Sequence, residues 1–250
     1  MTATTLPSSF PKVKLAGTGR RSLTILMPCL NEQDLLPKTF QEIVEAAREI
    51  LEEFEIILVD DGSTDNTRMV MEELAAANPE AKVISNPTPT GLANVLQQGL
   101  NQACCGNITI LPGDYAFNIS GIRDLFQGVG SADVTITYRI NQKQARSRLR
   151  YVLTILNNLV MLTFFQVPLR DVHSINAYRV DLLKNIDITA WGMAFQIEVL
   201  VKLFRSNLSF LQLPVLLNPQ KDAKDRSVSL RTLVALAKVI VHLWLDGRRR

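Results

Sequence analysis

The sequence predicts an α/β fold in which a mostly parallel sheet is covered by helices on both faces. Short, continuous apolar runs of strand-forming residues recur along the first half of the chain, and an amphipathic pattern of ten or more residues follows most of them. Strands that alternate with helices of this length form βαβ units, whose parallel sheets are buried on both faces. The composition of the 250-residue chain, 47% hydrophobic and 20% charged, is that of a globular protein.

The first βα unit follows a polar leader. Residues 22–28 (SLTILMP) form an apolar run that a proline ends, which is typical of a buried strand. Between residues 34 and 54, apolar side chains recur at three- and four-residue spacing among charged ones, and this pattern predicts an amphipathic helix. Residues 1–21 lack the apolar core of a signal peptide and are expected to form a flexible leader.

The same alternation continues towards residue 111. Continuous apolar runs predict strands, and helical spacing or a turn followed by capping residues predicts helices. The predicted strands are 55–59, 82–85 and 107–111, and the predicted helices are 67–77 and 91–103. Ligands of parallel sheets bind outside the carboxyl ends of the strands. The loops at 28–32, 60–65 and 112–116 are therefore expected to converge on one crevice.

The pattern changes after residue 135. Residues 146–168 combine a basic start with a long, mostly apolar stretch, and residues 232–245 form a second one. A helix over 194–205 and a strand over 209–217 are predicted between them. No window reaches eighteen uninterrupted apolar residues, so no spanning helix is predicted. Apolar segments flanked by basic residues indicate contact with a membrane surface, and packing in the core is the alternative.

Charge and cysteine content narrow the class of protein. The net charge of +3 decides little, but five basic side chains fall between residues 139 and 150, which suits phosphate or anionic lipid, or a solvated face, rather than nucleic acid. The three cysteines have no CxxC spacing, so neither a zinc site nor a disulfide framework is indicated. A reducing, cytoplasmic location is expected.

Acidic side chains stand at the predicted strand ends. Asp60 and Asp61 follow one strand and are suited to accept hydrogen bonds from a ribose or a base, although turn formation and helix capping would also explain them. Asp114 follows another and is a candidate ligand for Mg²⁺ or Mn²⁺. A magnesium site needs only one or two protein carboxylates when substrate phosphates and water fill the other positions. The alternative for Asp114 is a place in a Pro-Gly turn.

Three motifs together resemble a known family. PCLNEQD (28–34), VDDGSTDNT (59–67) and GLANVLQQGL (91–100), followed by an aspartate at a strand end, are similar to the family 2 glycosyltransferases of the GT-A fold. The resemblance implies a UDP- or GDP-sugar and a divalent metal, Mg²⁺ or Mn²⁺, held by Asp114. Pro112 and Ala116 depart from the family's DxD motif and from the glutamine after it. The implied donor-binding residues are Pro28, Leu30, Glu32, Asp60, Asp61 and Gly91.

The second half resembles the polyprenyl-phosphate sugar transferases such as dolichyl-phosphate mannose synthase. Arg150, Thr154 and Asn158 match their Arg/Ser/Asn helix, and LRDVHSINAYR, LQLPV and DRSVSL match later segments. The resemblance covers about residues 22–231. It implies a nucleotide-sugar half (22–116), an acceptor half (117–231) and a separate amphipathic C-terminal segment (232–250).

The chemistry of this acceptor explains the basic residues. A phosphate monoester is already ionised near neutral pH, so it can attack the sugar without a general base. We expect Arg139 and Arg150 to hold the phosphate and, with Asp114, to be the catalytic residues. The other acceptor-binding residues that the resemblance implies are Thr154, Asn158, Asp171 and Ser174. The expected reaction is inverting transfer to undecaprenyl or dolichyl phosphate at the cytoplasmic face of a membrane.

Two alternatives remain open from the sequence. A family 2 transferase acting on a glycolipid or glycan hydroxyl would need a carboxylate base, and Glu198 and Asp171 are the candidates. A nucleotide-sugar-binding protein with weakened catalysis would explain Pro112 and Ala116.

Overall fold

The computed structural model describes residues 19–142, 148–190, 192, 194–206, 208–218 and 230–247, with the backbone alone at 148–150, 230–236 and 246–247. The strands are β1 (Ser22–Cys29), β2 (Glu53–Asp61), β3 (Ala81–Asn86), β4 (Asn107–Ile110), β5 (Val134–Arg139), β6 (Asn176–Arg179) and β7 (Phe210–Val215). The helices are α1 (Leu36–Ile50), α2 (Thr67–Ala77), α3 (Leu92–Gln102), α4 (Ile119–Gly128), α5 (Arg148–Phe165), α6 (Val180–Lys184), α7 (Ala194–Phe204) and α8 (Leu230–Gly247).

The seven strands form one sheet in the order β3-β2-β1-β4-β6-β5-β7. Every neighbouring pair is parallel except for the two that involve β6, which runs antiparallel to β4 and to β5. The mostly parallel sheet predicted from the sequence is thus confirmed. Six strands end at the same edge of the sheet, and the amino end of β6 lies there as well.

Alternation along β1 divides the core between the two faces of the sheet. Leu26 packs with side chains of α3 and α7 on one face, and Ile25 and Met27 pack with Phe40 of α1 and with side chains of α4 on the other. All four side chains are fully buried. Successive strand residues point to opposite faces, so a continuous apolar strand supplies both layers of the core.

The strand-like run ADVTITY (132–138) in the sequence corresponds to β5. Three other elements were not predicted. Helix α4 carries apolar residues at helical spacing, which was an available signal. Strand β6 has four residues and α6 has five, so neither is long enough to show a period. Strand β2 begins at Glu53, two residues before the predicted start, and β4 ends at Ile110, one residue before the predicted end.

Helix α8 packs against the α/β body. Leu243 is fully buried in the core cluster shared with α7, and a terminal guanidinium nitrogen of Arg205 donates to its carbonyl oxygen at 2.5 Å. Within the part of the chain that the structure describes, no helix has the length and apolarity needed to cross a membrane.

Candidate functional site

The loops that follow β1 and β2 are joined by hydrogen bonds between them. Asn31 has a positive φ of 58°, and its side-chain oxygen accepts from the backbone N–H of Thr64 at 2.8 Å. The backbone N–H of Glu32 donates to the hydroxyl of Thr67 at 2.8 Å. Two of the loops predicted to converge therefore form one connected surface at the carboxyl edge of the sheet.

Asp61 holds the loop that precedes α3. One carboxylate oxygen accepts from the backbone N–H of Thr90 at 2.8 Å and from its hydroxyl at 2.7 Å, and the other accepts from the N–H of Gly91 at 2.9 Å. The side-chain amide of Asn86 adds a fourth donor. Burial opposes ionisation of Asp61, but these hydrogen bonds outweigh it and hold the pKa of the carboxyl below its ordinary value.

Asp60 and Gly91, which were also predicted to bind the donor, form hydrogen bonds within the protein. Asp60 is buried and accepts from the backbone N–H of Ser63 at 2.9 Å. Gly91 has a φ of 86°, which favours glycine, and it donates its N–H to Asp61. In this structure both residues shape the loops of the crevice.

Asp114 lies where the chain leaves β4 and runs beside the end of β1. The N–H of Gly113 donates to the carbonyl oxygen of Pro28 at 3.3 Å, which aligns the two chains. A Cβ on Gly113 would lie 2.6 Å from the sulfur of Cys29, so glycine is required for this close approach. One carboxylate oxygen of Asp114 accepts from the N–H of Ala116 at 3.1 Å.

The thiol of Cys29 is buried at the end of β1, within the electrostatic influence of three carboxylates. Burial raises the pKa of this thiol first, and the negative charges of Glu32, Asp114 and Asp60 raise it further. The charges of Glu32, Asp60 and Asp114, from three different strand ends, thus all act on this one thiol. Cys29 itself is held as a neutral thiol and is not suited to act as a nucleophile.

Whether the carboxyl edge of the sheet can bind a metal ion depends on the ligand atoms that its side chains offer. Within the described ranges, no three His, Cys, Asp or Glu side chains are grouped as metal ligands. The acidic oxygens near Cys29 are hard ligands of the kind that Mg²⁺ and Mn²⁺ prefer, and a site with one carboxylate fits an ion whose other ligands are diphosphate oxygens and water. Asp114 fits such an ion only together with a bound nucleotide.

A cavity of about 440 Å³ opens at the carboxyl end of β5. Thr154 and Asn158, one turn apart on α5, lie on its wall together with Arg139 of β5, so three of the residues expected to bind the acceptor border one cavity. The backbone of Arg150 belongs to the first turn of α5, but its side chain lies outside the described residues. The full lining is Tyr138, Arg139, Ile140, Asn141, Gln142, Tyr151, Thr154, Ile155, Asn158 and Arg170.

Arg139 forms a buried ion pair with Asp171 beneath this cavity. Both side chains are almost fully inaccessible, at 1% and 0% exposure. The Nε of Arg139 and one terminal nitrogen, the latter at 2.6 Å, donate to the two carboxylate oxygens. Gln142 donates to the same carboxylate at 3.0 Å. Burial opposes ionisation of Asp171, but the hydrogen bonds and charge of Arg139 lower its pKa overall.

The ion pair with Asp171 limits how Arg139 can bind a phosphate. Its Nε and one terminal nitrogen donate to Asp171. The two parallel hydrogen bonds that were expected to bind a phosphate are therefore made to a carboxylate of the protein in this structure. Ser174 is buried and lies 2.5 Å from the hydroxyl oxygen of Thr137, and neither it nor Asp171 is among the described residues that line the cavity. Asp171 bonds to Arg139 and Gln142, which both line the cavity, and Ser174 bonds to Thr137 in the same strand as Arg139.

Glu198 does not line the cavity, and its carboxylate accepts four hydrogen bonds from the protein. Its carboxylate accepts from the N–H and hydroxyl of Thr189, from the N–H of Ala190, and from the ammonium group of Lys202 at 2.7 Å. Burial opposes its ionisation, but Lys202 and these hydrogen bonds lower its pKa. A carboxylate held in this way is a poor general base near neutral pH.

Sequence reasoning did not single out Arg170 or Gln142, which both line the cavity. The guanidinium of Arg170 lies over the ring of Tyr138, 4.8 Å from its centroid, and Arg170 is exposed. The signal for Arg170 was its place directly before Asp171. Nothing in the local sequence marked Gln142, because its role depends on contacts with residues distant in the chain.

Helix α5 turns three polar side chains inward and a row of apolar side chains outward. Thr154, Asn157 and Asn158 lie on the side that faces the protein, where Asn157 donates to the ring of His173 at 3.0 Å and Asn158 donates to the carbonyl of Arg170 at 2.5 Å. The opposite side carries an apolar stripe in which every side chain is more than half exposed. This stripe comprises Val152, Ile155, Leu156, Leu159 and Leu162.

Comparison with known proteins identifies a family. The model for glycosyl transferase family 2 matches residues 24–187. An undecaprenyl-phosphate 4-deoxy-4-formamido-L-arabinose transferase of Proteus mirabilis is 32% identical over 83 residues, which cover 32% of this chain and 25% of that protein. A second transferase of this name, from Pseudomonas fluorescens, is 43% identical over 54 residues, or 22% of this chain and 16% of that protein. The chain thus spans a quarter or less of these relatives.

Longer matches are more distant. An uncharacterized glycosyltransferase of Mycobacterium bovis is 23% identical over 229 residues, which cover 89% of this chain and 96% of that protein. Among solved structures, glucosyl-3-phosphoglycerate synthase of Mycobacterium tuberculosis, in complex with Mn²⁺, UDP-glucose and phosphoglyceric acid, superposes with a TM-score of 0.66 at 16% identity. That superposition covers 88% of this chain and 80% of the synthase, and it establishes similarity of fold.

Proposed function

Because this chain belongs to glycosyl transferase family 2, we propose that it is an inverting enzyme that moves a sugar from a nucleotide diphosphate sugar to a polyprenyl phosphate. The donor is UDP- or GDP-linked, and the acceptor is undecaprenyl or dolichyl phosphate. The short matches to undecaprenyl-phosphate transferases support this choice of acceptor.

The observation that carries the proposal is the contact between the polar cavity and the apolar stripe of α5. Ile155 belongs to the stripe and also lines the cavity, and Ile140 lines the cavity while being 58% exposed. A polar chamber with a basic residue and an exposed apolar margin matches a ligand with a charged head and a hydrocarbon tail. The phosphate would enter the cavity and the first isoprene units would lie along α5.

The proposed reaction needs no proton acceptor. A phosphate oxygen of the acceptor forms a bond to the anomeric carbon, and the bond from that carbon to the nucleoside diphosphate breaks, so the configuration is inverted. A bound Mg²⁺ or Mn²⁺, held by Asp114 and the diphosphate, would supply neutralisation of charge on the leaving group. In this proposal Arg170, which lines the cavity, and Arg150 of α5 orient the acceptor phosphate, and Thr154 adds a hydroxyl.

Arg139 has a different part in this proposal. Its ion pair with Asp171 fixes the end of β5, and through Gln142 it fixes the loop that forms the cavity wall. It therefore acts chiefly by positioning the wall, while the phosphate clamp expected from the sequence remains a prediction for the bound state.

Transfer to a hydroxyl acceptor is less well supported. It requires a carboxylate base, and the pKa values of Asp171 and Glu198 are both lowered while both carboxylates accept several hydrogen bonds. The retained acidic edge and the family membership likewise favour an enzyme over a protein that only binds nucleotide sugars.

Lipid-linked transfer tests the proposal. Purified protein is incubated with labelled UDP- and GDP-sugars, undecaprenyl or dolichyl phosphate and either Mn²⁺ or Mg²⁺, and label is measured in the organic phase. We expect an alkali-stable, acid-labile lipid product. The Asp114→Asn variant should lose on the order of 100-fold in kcat, since a catalytic metal contributes several kcal/mol to the transition state. Absence of labelled lipid with every donor and metal would contradict the proposal.

Asp124→Asn is the matched control for this experiment. Asp124 is an exposed residue of α4, close in sequence to Asp114 but directed to solvent. We expect wild-type kcat from it, so that a loss in the Asp114 variant reports the site and not the change of charge.

We also propose that the protein contacts a membrane peripherally. The apolar stripe of α5 and the exposed Val241 and Leu245 of α8 support this location. A cytoplasmic membrane face, expected from the cysteine content, remains a prediction.

A further inference from the structure

The loop that carries Asp114 is held from across the sheet by the residues that follow β7. Residues 216–218, here called the bridge segment, pair with this loop through an antiparallel bridge between Phe117 and Leu217. The N–H of Asn118 donates to the carbonyl oxygen of Leu216 at 2.9 Å. Strands β4 and β7 have β6 and β5 between them, so their ends are about 14 Å apart at the usual strand spacing.

Asn218 makes most of this connection through its own polar atoms. Its side-chain amide nitrogen donates to the carbonyl oxygens of Tyr115 and Phe117, at 3.0 Å each. Its backbone N–H donates to the carbonyl oxygen of Ala116 at 3.0 Å, and its side-chain oxygen accepts from Asn118 at 3.2 Å. It thus contacts all three residues that directly follow Asp114.

These bonds stabilise an unusual backbone conformation. Tyr115 has a φ of 54°, which is uncommon for a residue with a side chain. Its ring is held independently, since its hydroxyl donates to Glu42 at 3.0 Å and the ammonium group of Lys38 lies 4.2 Å from the ring centroid. With side chain and carbonyl both fixed, the turn presents Asp114 at the carboxyl edge of the sheet.

The bridge segment also contacts the wall of the cavity. The side chain of Asn141 donates to the carbonyl oxygen of Leu217 at 2.8 Å and accepts from its N–H at 2.9 Å. Asn141 lines the cavity. One three-residue segment therefore touches both the loop of Asp114 and the wall of the proposed acceptor cavity.

We infer that Asn218 is a positioning residue for Asp114, which holds the metal-binding turn and ties it to the acceptor cavity through Leu217 and Asn141. This inference rests on the proposed role of Asp114 as metal ligand, and it does not depend on which acceptor is used. Residues that orient metal ligands commonly affect metal affinity by 10- to 100-fold when they are replaced.

The test compares Asn218→Asp, Asn218→Ala and wild type in binding the Mn²⁺ complexes of UDP and GDP, without sugar or lipid. The aspartate has the size of asparagine, but it replaces the two N–H donors with an oxygen that faces the carbonyls of Tyr115 and Phe117. We expect the dissociation constant of the Mn²⁺·nucleotide complex to rise roughly tenfold or more. The electron paramagnetic resonance spectrum of the bound Mn²⁺ should change as well, while binding of the nucleotide in EDTA stays the same.

A purely structural role gives a different result. It would lower the unfolding temperature of both variants and leave the Mn²⁺·nucleotide dissociation constant and the spectrum at their wild-type values, which would overturn the inference. If the aspartate variant does not fold, the alanine variant, which removes the same bonds without adding charge, decides the question.

Asn101→Asp serves as the matched control, because Asn101 is exposed on α3 and the change adds the same charge. It should bind as wild type does. Failure of wild-type protein to bind Mn²⁺ with either nucleotide would overturn the metal role of Asp114 and this inference together. Failure of lipid transfer alone would count against the proposed acceptor and leave the inference about Asn218 intact.

Discussion

Asp61 is buried at the end of β2, and its carboxylate accepts four hydrogen bonds from the segment 86–91. The resemblance assigned it to binding of the nucleotide-sugar donor. In the structure its carboxylate joins two loops of the crevice. Asp61 would then affect a bound nucleotide through the shape of these loops and not through a direct hydrogen bond. The two roles predict different consequences of its replacement.

Replacing Asp61 with asparagine should make the protein less stable near neutral pH. An unfolded aspartate has a pKa of about 3.9, and the pKa of Asp61 in the fold is lower. Its stabilising contribution is therefore complete above about pH 4 and is lost as the pH falls from there through the folded pKa. We expect a loss of about 1–3 kcal/mol in the free energy of unfolding at pH 7.

Urea unfolding at pH 7 and near pH 3 measures this effect. The difference between wild type and Asp61→Asn should narrow at the lower pH, because the carboxyl of the unfolded wild type is largely protonated there and ionised Asp61 then favours the fold less. An equal difference at both values would mean that ionised Asp61 does not stabilise the fold.

Sequence reasoning was reliable for where the acidic residues lie and weaker for what they touch. Asp60 lies at the end of β2 and Asp114 follows β4, so hydrophobic runs and turns were enough to place both at one edge of the sheet. The partners of Asp61 lie 25 to 30 positions away in the chain, and no local spacing encodes such contacts. The assignments of individual residues to donor and acceptor remain predictions.

At the scale of elements, the pair of Arg139 and Asp171 connects the end of β5 to the segment that leads into β6. Removing one partner leaves the other charge buried without compensation, which costs about 3–5 kcal/mol. We expect Arg139→Met to be destabilised by this amount. The double variant Arg139→Met, Asp171→Leu should recover part of the loss, because it removes both charges.

Chemical denaturation of the two variants and wild type tests this pair. Arg68→Met is the control, since Arg68 forms an exposed ion pair with Glu72 on α2, and it should change stability little. A double variant less stable than Arg139→Met would show that the two charges do not compensate each other as proposed.

The exposed apolar stripe of α5 leads to a second prediction at the scale of elements. Leu156→Glu and Leu159→Glu place charges in the exposed apolar stripe, where they disturb no buried contact. Burial of one leucine side chain contributes about 1.5–3 kcal/mol, so each change should weaken binding to vesicles of anionic phospholipid by about tenfold or more.

Vesicle sedimentation provides the measurement. Met69→Glu, at an exposed apolar position on α2 outside the stripe, is the matched control and should bind vesicles as wild type does. Equal loss in all three variants would indicate a general effect of negative charge, and no loss in any would exclude the stripe as the contact.

Element types were predicted well where a period could be counted. The strands and helices of residues 22–111 agree with the structure within about two residues at most boundaries. Strand β6 was missed because four residues carry too little pattern, and its antiparallel direction is fixed by pairing with Ile108 and Val134 of distant strands. The apolar run of α5 was noticed in the sequence, but which of its sides faces solvent required the packed structure.

At the scale of the whole molecule, nucleotide and metal should stabilise the fold. A ligand that binds only the folded protein contributes about 2.7 kcal/mol when its concentration is 100 times its dissociation constant. For a chain of this size, that raises the unfolding temperature by roughly 5–10 °C. We expect this shift with Mn²⁺ and either UDP or GDP, and a smaller one with the nucleotide in EDTA.

Differential scanning fluorimetry checks this expectation. The nucleotide that produces the larger shift identifies the base that the crevice accepts. A null result with both nucleotides across a titration of metal would contradict the proposed donor site.

The reversed strand β6 has a consequence for engineering. It separates β1, β2 and β4, whose loops form the proposed donor crevice, from β5, whose end borders the proposed acceptor cavity, and from β7. The segment that enters β6 carries Arg170 and Asp171, so it should be exchanged together with β5 and the cavity wall. Exchange of residues 134–218 with those of a relative is a route to a new acceptor range on an unchanged nucleotide-sugar platform.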